Sequence, residues 1–254
     1  MRKFALALLG FAVLGIPAVQ AQEEATPLPH PGWSFDGPFG TYDRAALQRG
    51  FQVYQEVCSN CHSLNLVAYG DLTALGYNED QVKNVAAQKQ VTDGPNDQGD
   101  MFQRPARPSD HFVPSFPNDQ ANRAAHNGAL PPDLSLIVKA REGGADYVYG
   151  ILTGFRDPPA NDKLPDNMYY NIYFAAGNHH IAMPPPLTDD VVSYGDGTKA
   201  TTQQEAHDVV TFLEWAAEPR LEERKHTGAK VMIFLLAMTG VLYAAKRKIW
   251  AAVH

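Results

Sequence analysis

The chain has 254 residues, 44% of them hydrophobic and 19% charged, a balance that excludes wholesale disorder and fits one large domain or two small ones. A formal charge of −7 argues against a nucleic-acid binder, which would show a basic patch. Only two cysteines, Cys58 and Cys61, exclude a disulfide-dense scaffold and a four-cysteine zinc site, while 20 Gly and 19 Pro promise a loop-rich fold.

At the N-terminus Arg2 and Lys3 precede an apolar run, Phe4 to Ile16, and Val19-Gln20-Ala21 supplies a small-residue cleavage pattern. That is the arrangement of a secretory signal peptide, residues 1–21, cut after Ala21. The competing reading, an N-terminal membrane anchor, has to accommodate a short run broken by Gly10, Gly15 and Pro17.

Asp43 to Val57 places Leu47, Phe51 and Tyr54 at three-to-four spacing, the apolar stripe of one helix, with Thr41 or Asp43 as its cap. The helix leads directly into Cys58-Ser-Asn-Cys61-His62, which is C-x-x-C-H, the covalent attachment sequence of a c-type haem. The spacing has a physical reason: two thiols three residues apart reach the two vinyl groups of one porphyrin edge, and the next residue carries its imidazole under the iron. Three other readings compete. A thioredoxin-like redox pair needs a βαβ setting, a zinc half-site needs partner cysteines, and a Cys58–Cys61 disulfide needs only an oxidising compartment.

Residues 91–123 are rich in Pro, Gly, Asp and Asn and show neither helical nor alternating periodicity, so they read as a long functional loop. Leu134–Arg141 and Ala145–Thr153 read as short helices. Outside the two chain ends there are three methionines, Met101, Met168 and Met183. Met183 stands out because Ala-Met-Pro-Pro-Pro-Leu holds it in a proline-stiffened loop before the last soluble helix, a place from which a thioether could serve as the second axial ligand. The competing readings are a core methionine and ligation by His179, His180 or His207. An open sixth position would instead suit a gas-binding or peroxidase-like haem enzyme. No Ser/His/Asp constellation presents itself.

Thr202–Ala217 carries Val209, Phe212, Leu213 and Ala216 on one face, with Thr202 and Glu205 as a capping box and Pro219 beyond its end. From Gly228 to Ala245 the chain is apolar apart from Lys230 and Thr239, 18 residues spanning roughly 27 Å, enough to cross a hydrocarbon core. Lys246-Arg247-Lys248 then marks the cytoplasmic side. The expected organisation is a signal peptide (1–21), a periplasmic c-type haem domain (22–227), a transmembrane helix (228–245) and a cytoplasmic tail (246–254). The expected location is the bacterial inner (cytoplasmic) membrane, crossed once. With 15 basic against 28 acidic residues, 22–227 carries −13, a field that suits a cationic partner.

The motifs VCSNCHSL, RPARPSDHF, NGALPPDLS, REGGADYVYGILTGF, IAMPPPL and FLEWAAEPR, in this order before a terminal anchor, resemble the cytochrome c1 family. The likeness runs from about Gly37 to Trp250 and implies a mainly α, class I cytochrome c-like haem domain with long loop insertions, plus one C-terminal transmembrane helix. It implies one haem c bound through Cys58 and Cys61, with His62 and Met183 on the iron. Arg141 would pair with a haem propionate, Tyr147 would lie near the same edge, and Pro131 and Pro132 would form part of the wall. It also implies the role of electron-transfer subunit of a quinol:cytochrome c oxidoreductase (bc1) complex, without an independent catalytic site. Its partners would be cytochrome b, a Rieske iron–sulfur protein and a basic soluble cytochrome c, within a dimeric complex. The sequence lacks the extra cysteine pair of some relatives, so the Met183 loop must be held without a disulfide. A membrane-anchored c-type cytochrome serving a terminal oxidase or a periplasmic dehydrogenase is the alternative.

Overall fold

The computed structural model describes residues 26–252, and the signal-peptide reading of residues 1–21 lies outside them. Helix α1 (Arg44–Glu56) starts where Asp43, in extended backbone, accepts hydrogen bonds from the amides of Ala45 and Ala46. The stripe Leu47, Phe51 and Tyr54 is buried, as its spacing requires. Its partner is α5 (Thr202–Ala217), and the two backbones meet at Gly50, where a Cβ would lie 2.0 Å from the Asp208 carbonyl oxygen. Beside the crossing, the Phe212 ring sits 5.6 Å from Phe51 and 5.7 Å from Tyr54. Arg49 adds a polar bolt. Its fork donates to both oxygens of the buried Asp208 at 2.7 and 3.1 Å and to Asp196 at 2.9 Å. A charge this deep persists only because it is paired and hydrogen-bonded.

Between these helices lie α2 (Glu79–Ala87), strands β1 (Gln90–Asp93) and β2 (Phe102–Pro105), α3 (Asp119–Ala125), α4 (Gly144–Thr153), and the two-residue strands β3 (Tyr169–Tyr170) and β4 (His180–Ile181). The expected structureless loop 91–123 therefore contains an antiparallel hairpin, in which Val91 faces Arg104 and Asp93 faces Phe102, and a short helix. Polar pairing specifies the hairpin, so no apolar alternation announces it. The Arg104 guanidinium joins Asp93 to Asp110, with bonds of 2.6 and 3.0 Å to the latter.

Leu134–Arg141, expected as a helix, is a run of turns. The Asp133 carboxylate explains it by accepting from the Ser135 amide at 2.9 Å while also taking the Ser63 hydroxyl and Asn65 amide, each at 2.8 Å. The segment is thereby tied to the residues just after the haem motif rather than to itself. The α5 capping box also differs. Thr201 is the cap, its Oγ1 accepting from the Gln204 amide at 3.2 Å, and Thr202 donates to Asp189 instead. Glu205 is wholly buried, with Oε1 accepting from the Val192 amide at 3.3 Å and Oε2 without a partner.

The last helix, α6, runs unbroken from Leu221 to Trp250, beyond both ends of the apolar stretch 228–245. Its apolar window is unburied, and the helix is long and apolar enough to cross a membrane. The chain is mainly helical, with the haem-motif segment, α4, α5 and the 129–137 turns packed around one cavity.

Candidate haem site

At the end of α1 the chain tightens into a single 3-10 turn, Cys58–Asn60. The amides of Cys61 and His62 both return to the Cys58 carbonyl, at 3.1 and 2.9 Å. Ser59 and Asn60 side chains donate to the last α1 carbonyls, those of Gln55, Glu56 and Val57, which closes the helix end. The turn brings Cys58, Cys61 and His62 to one cavity of about 400 Å³, a size in the range of small-molecule and cofactor sites. Both cysteines are free thiols, which removes the disulfide reading, and burial pushes the Cys58 thiol up to about 12. Among the described residues no group of three or more His, Cys, Asp or Glu side chains could hold a metal ion, so the zinc half-site has no partners.

His62 is oriented by Pro132. The imidazole Nδ1–H donates to the Pro132 carbonyl at 2.7 Å, which leaves Nε2 with its lone pair for a metal. Burial holds the His62 pKa below its usual value against the opposing pull of that carbonyl, so the ring is kept in the neutral form that ligates. Met183, with Ile181, Ala182, Pro184 and Pro186, forms another part of the wall, and Arg141 and Tyr147 also line the cavity. Arg141 is exposed, with one hydrogen bond to the Ala140 carbonyl at 3.1 Å. Pro131 and Pro132 line the cavity too. The remainder is aliphatic, including Ile137, Val148, Ile151, Leu152, Val209 and Leu213.

All six sequence-derived site residues thus line one cavity, and the competing ligands do not. His179 donates to the Asn171 carbonyl at 3.1 Å, His180 binds the Asp162 carboxylate, and His207 stacks on Trp33 with centroids 5.1 Å apart. Met101 is exposed near the β1–β2 hairpin, and neither it nor Met168 reaches the cavity. One lining residue escaped the sequence reading. His126 places Nε2 3.1 Å from the Cys61 sulfur, and its Nδ1–H donates to the Asn122 carbonyl at 2.8 Å, so Nε2 accepts the thiol proton's hydrogen bond. No spacing rule marks a histidine 64 residues from the motif; only the neighbouring Pro131-Pro132 hinted at the wall. A second cleft of about 470 Å³, between Trp33, Asp146, Glu218 and Lys225, holds none of the six.

The donor set fits a c-type haem. Two thiols lie beside an imidazole held by its other nitrogen, a thioether stands in a stiff loop, a guanidinium is available for a carboxylate, and the walls are dry and apolar.

A model of the cytochrome c1 family matches residues 33–253. The chain is 47% identical to a protein of Rhodospirillum rubrum named cytochrome c1, over 98% of this chain and 96% of that one. It is 46% identical to a mitochondrial cytochrome c1 heme protein of Arabidopsis thaliana, over 96% of this chain and 81% of the relative. It is also 45% identical, over 98% of its length, to a Bradyrhizobium diazoefficiens protein named cytochrome b/c1, of which it spans 40%. The chain belongs to the cytochrome c1 family.

Proposed function

We propose that this chain is the haem-bearing electron-transfer subunit of a quinol:cytochrome c oxidoreductase, taking electrons from a Rieske iron–sulfur domain and passing them to a basic soluble cytochrome c. The observation that carries the reading is the convergence of Cys58, Cys61, His62 and Met183 on one apolar cavity in a chain of this family. A bound haem c would supply reversible one-electron redox chemistry. The protein's own residues hold, orient and exclude. Cys58 and Cys61 would be the covalent anchors, His62 would be presented to the iron by the Pro132 carbonyl, and Met183 would close the other axial position. Arg141, with Tyr147 beside it, would neutralise a propionate, and the aliphatic side chains of α4 and α5 keep water from the site. No proton needs to move at any side chain.

The fused naming of the Bradyrhizobium diazoefficiens relative supports cytochrome b as the membrane partner. The single apolar helix α6, with Arg247 and Lys248 in its last turn, supports one crossing of a bacterial inner membrane with the haem domain in the periplasm after removal of residues 1–21. A dimeric assembly rests on the family resemblance alone.

The acidic domain sorts into docking and structural charges. Glu79 and Asp80 are exposed, their carboxylates near only Lys83. Asp93 is engaged by Arg104, and Asp189 by Thr202. This leaves Glu79, Asp80, Asp97, Asp100 and Asp190 as the steering candidates. Flash or stopped-flow oxidation of the reduced protein by a basic cytochrome c should slow by roughly tenfold or more as ionic strength rises from about 10 mM to about 200 mM. Oxidation at a salt-independent rate would remove the cationic acceptor from this reading.

A further inference from the structure

The Met183 reading requires a neutral thioether to stay on the iron, and a loop without a disulfide has to keep it there. Downstream, Pro184-Pro185-Pro186 restricts the backbone. Upstream, the chain enters through β4, after a turn in which Asn178 and His179 both adopt the left-handed region at φ 52° and 64°. Strand β4 pairs with β3, Tyr170 facing His180 and Tyr169 facing Ile181. Two residue pairs alone make a weak ladder.

What stiffens it is a side-chain pair from the excursion between α4 and β3. The His180 Nε2–H points at the Asp162 carboxylate, 2.9 and 3.0 Å from its two oxygens. His180 is 15% exposed and Asp162 26%, so water screens the pair only partly. The Asp162 carboxylate has no other hydrogen-bond partner among the described residues. Its amide folds back to the Pro159 carbonyl at 2.9 Å, which presets the excursion. The wholly buried Asn171 fixes the base of the same unit, donating to the Ile151 carbonyl at 2.7 Å and accepting from the Tyr173 amide at 3.0 Å. His180 stands three residues before Met183, and Ile181 and Ala182, between them, line the cavity.

We propose that His180 and Asp162 form a non-covalent clamp that positions Met183, so that the ligand loop is held by an ion-paired histidine on one side and by three prolines on the other. This rests on Met183 being the axial ligand. An exogenous ligand can bind only while the Met183 loop is off the iron, so its apparent affinity reports the open fraction of that loop. Loss of one charge-assisted hydrogen bond raises that fraction by about tenfold.

The test is imidazole binding to the oxidised full-length protein in its membrane complex, read with the Met–iron charge-transfer band. Asp162→Ala should raise imidazole affinity about tenfold, Asp162→Asn, which keeps an acceptor, should fall in between, and Asp166→Ala, which removes a carboxylate from the same excursion, should match the parent. His180→Ala should behave as Asp162→Ala does, and the double variant should be no weaker-held than either single one. Equal affinities for Asp162→Ala and Asp166→Ala, or additive effects in the double variant, would overturn the clamp. A parent protein without the charge-transfer band would overturn the Met183 reading and the clamp with it.

Discussion

Met183→Leu should lower the midpoint potential of the haem by on the order of 200 mV, with the soluble domain still folded. Leucine nearly conserves volume and apolarity, so the packing around Ile181, Ala182 and Pro186 changes little. What is lost is the sulfur. A thioether favours the reduced iron, and without it the His62 side is left with water or a stronger donor opposite. At about 59 mV per tenfold, a shift of this size is more than a thousandfold in the relative stability of the two oxidation states. Electron delivery to a soluble cytochrome c would then run uphill. Redox titration of membranes carrying the variant measures the shift, and carbon monoxide should bind rapidly to the reduced variant while sparing the parent. An unchanged potential would show that another side chain is the ligand.

Glu205→Gln should change stability strongly, and in a pH-dependent way. Burial drives the Glu205 carboxyl up to about 7, reinforced by the nearby Asp189 and Asp190 and opposed by the Val192 and Val191 amides. The folded state therefore holds this proton more tightly than the unfolded chain does. That stabilisation is fully present below the ordinary glutamate range and is lost as pH rises through about 7. Glutamine mimics the protonated form at every pH. The variant and parent should unfold alike near pH 4, and at about pH 8 the variant should be more stable by about 3 kcal/mol. Denaturant unfolding of the full chain in detergent across this range measures the difference, and a gap that does not widen with pH would contradict the assignment.

The two proposals place different demands on the sequence, and that explains what could be read from it. The C-x-x-C-H spacing and the apolar stripes of α1 and α5 are local patterns with direct physical meaning, and the structure carries them to the expected places. Met183 was legible through its prolines. Arg141 and Tyr147 were legible only through resemblance, because nothing local distinguishes an arginine that lines a cavity from one in solvent. The misses are all cases where partners distant in sequence decide. Asp133 turns 134–141 away from a helix by bonding to Ser63 and Asn65. Arg104 makes a hairpin by joining Asp93 to Asp110. Glu205 leaves a capping position for the core, and His126 reaches Cys61 from 65 residues away. Each needs a three-dimensional partner that no periodicity announces.

The most direct test of the account is a reduced-minus-oxidised spectrum of the membrane complex purified through this chain, followed by acid–acetone extraction. The account predicts c-type and b-type haem bands together, with the c-type haem remaining on the chain after extraction through Cys58 and Cys61. A c-type band without b, or a haem that extracts freely, would contradict it.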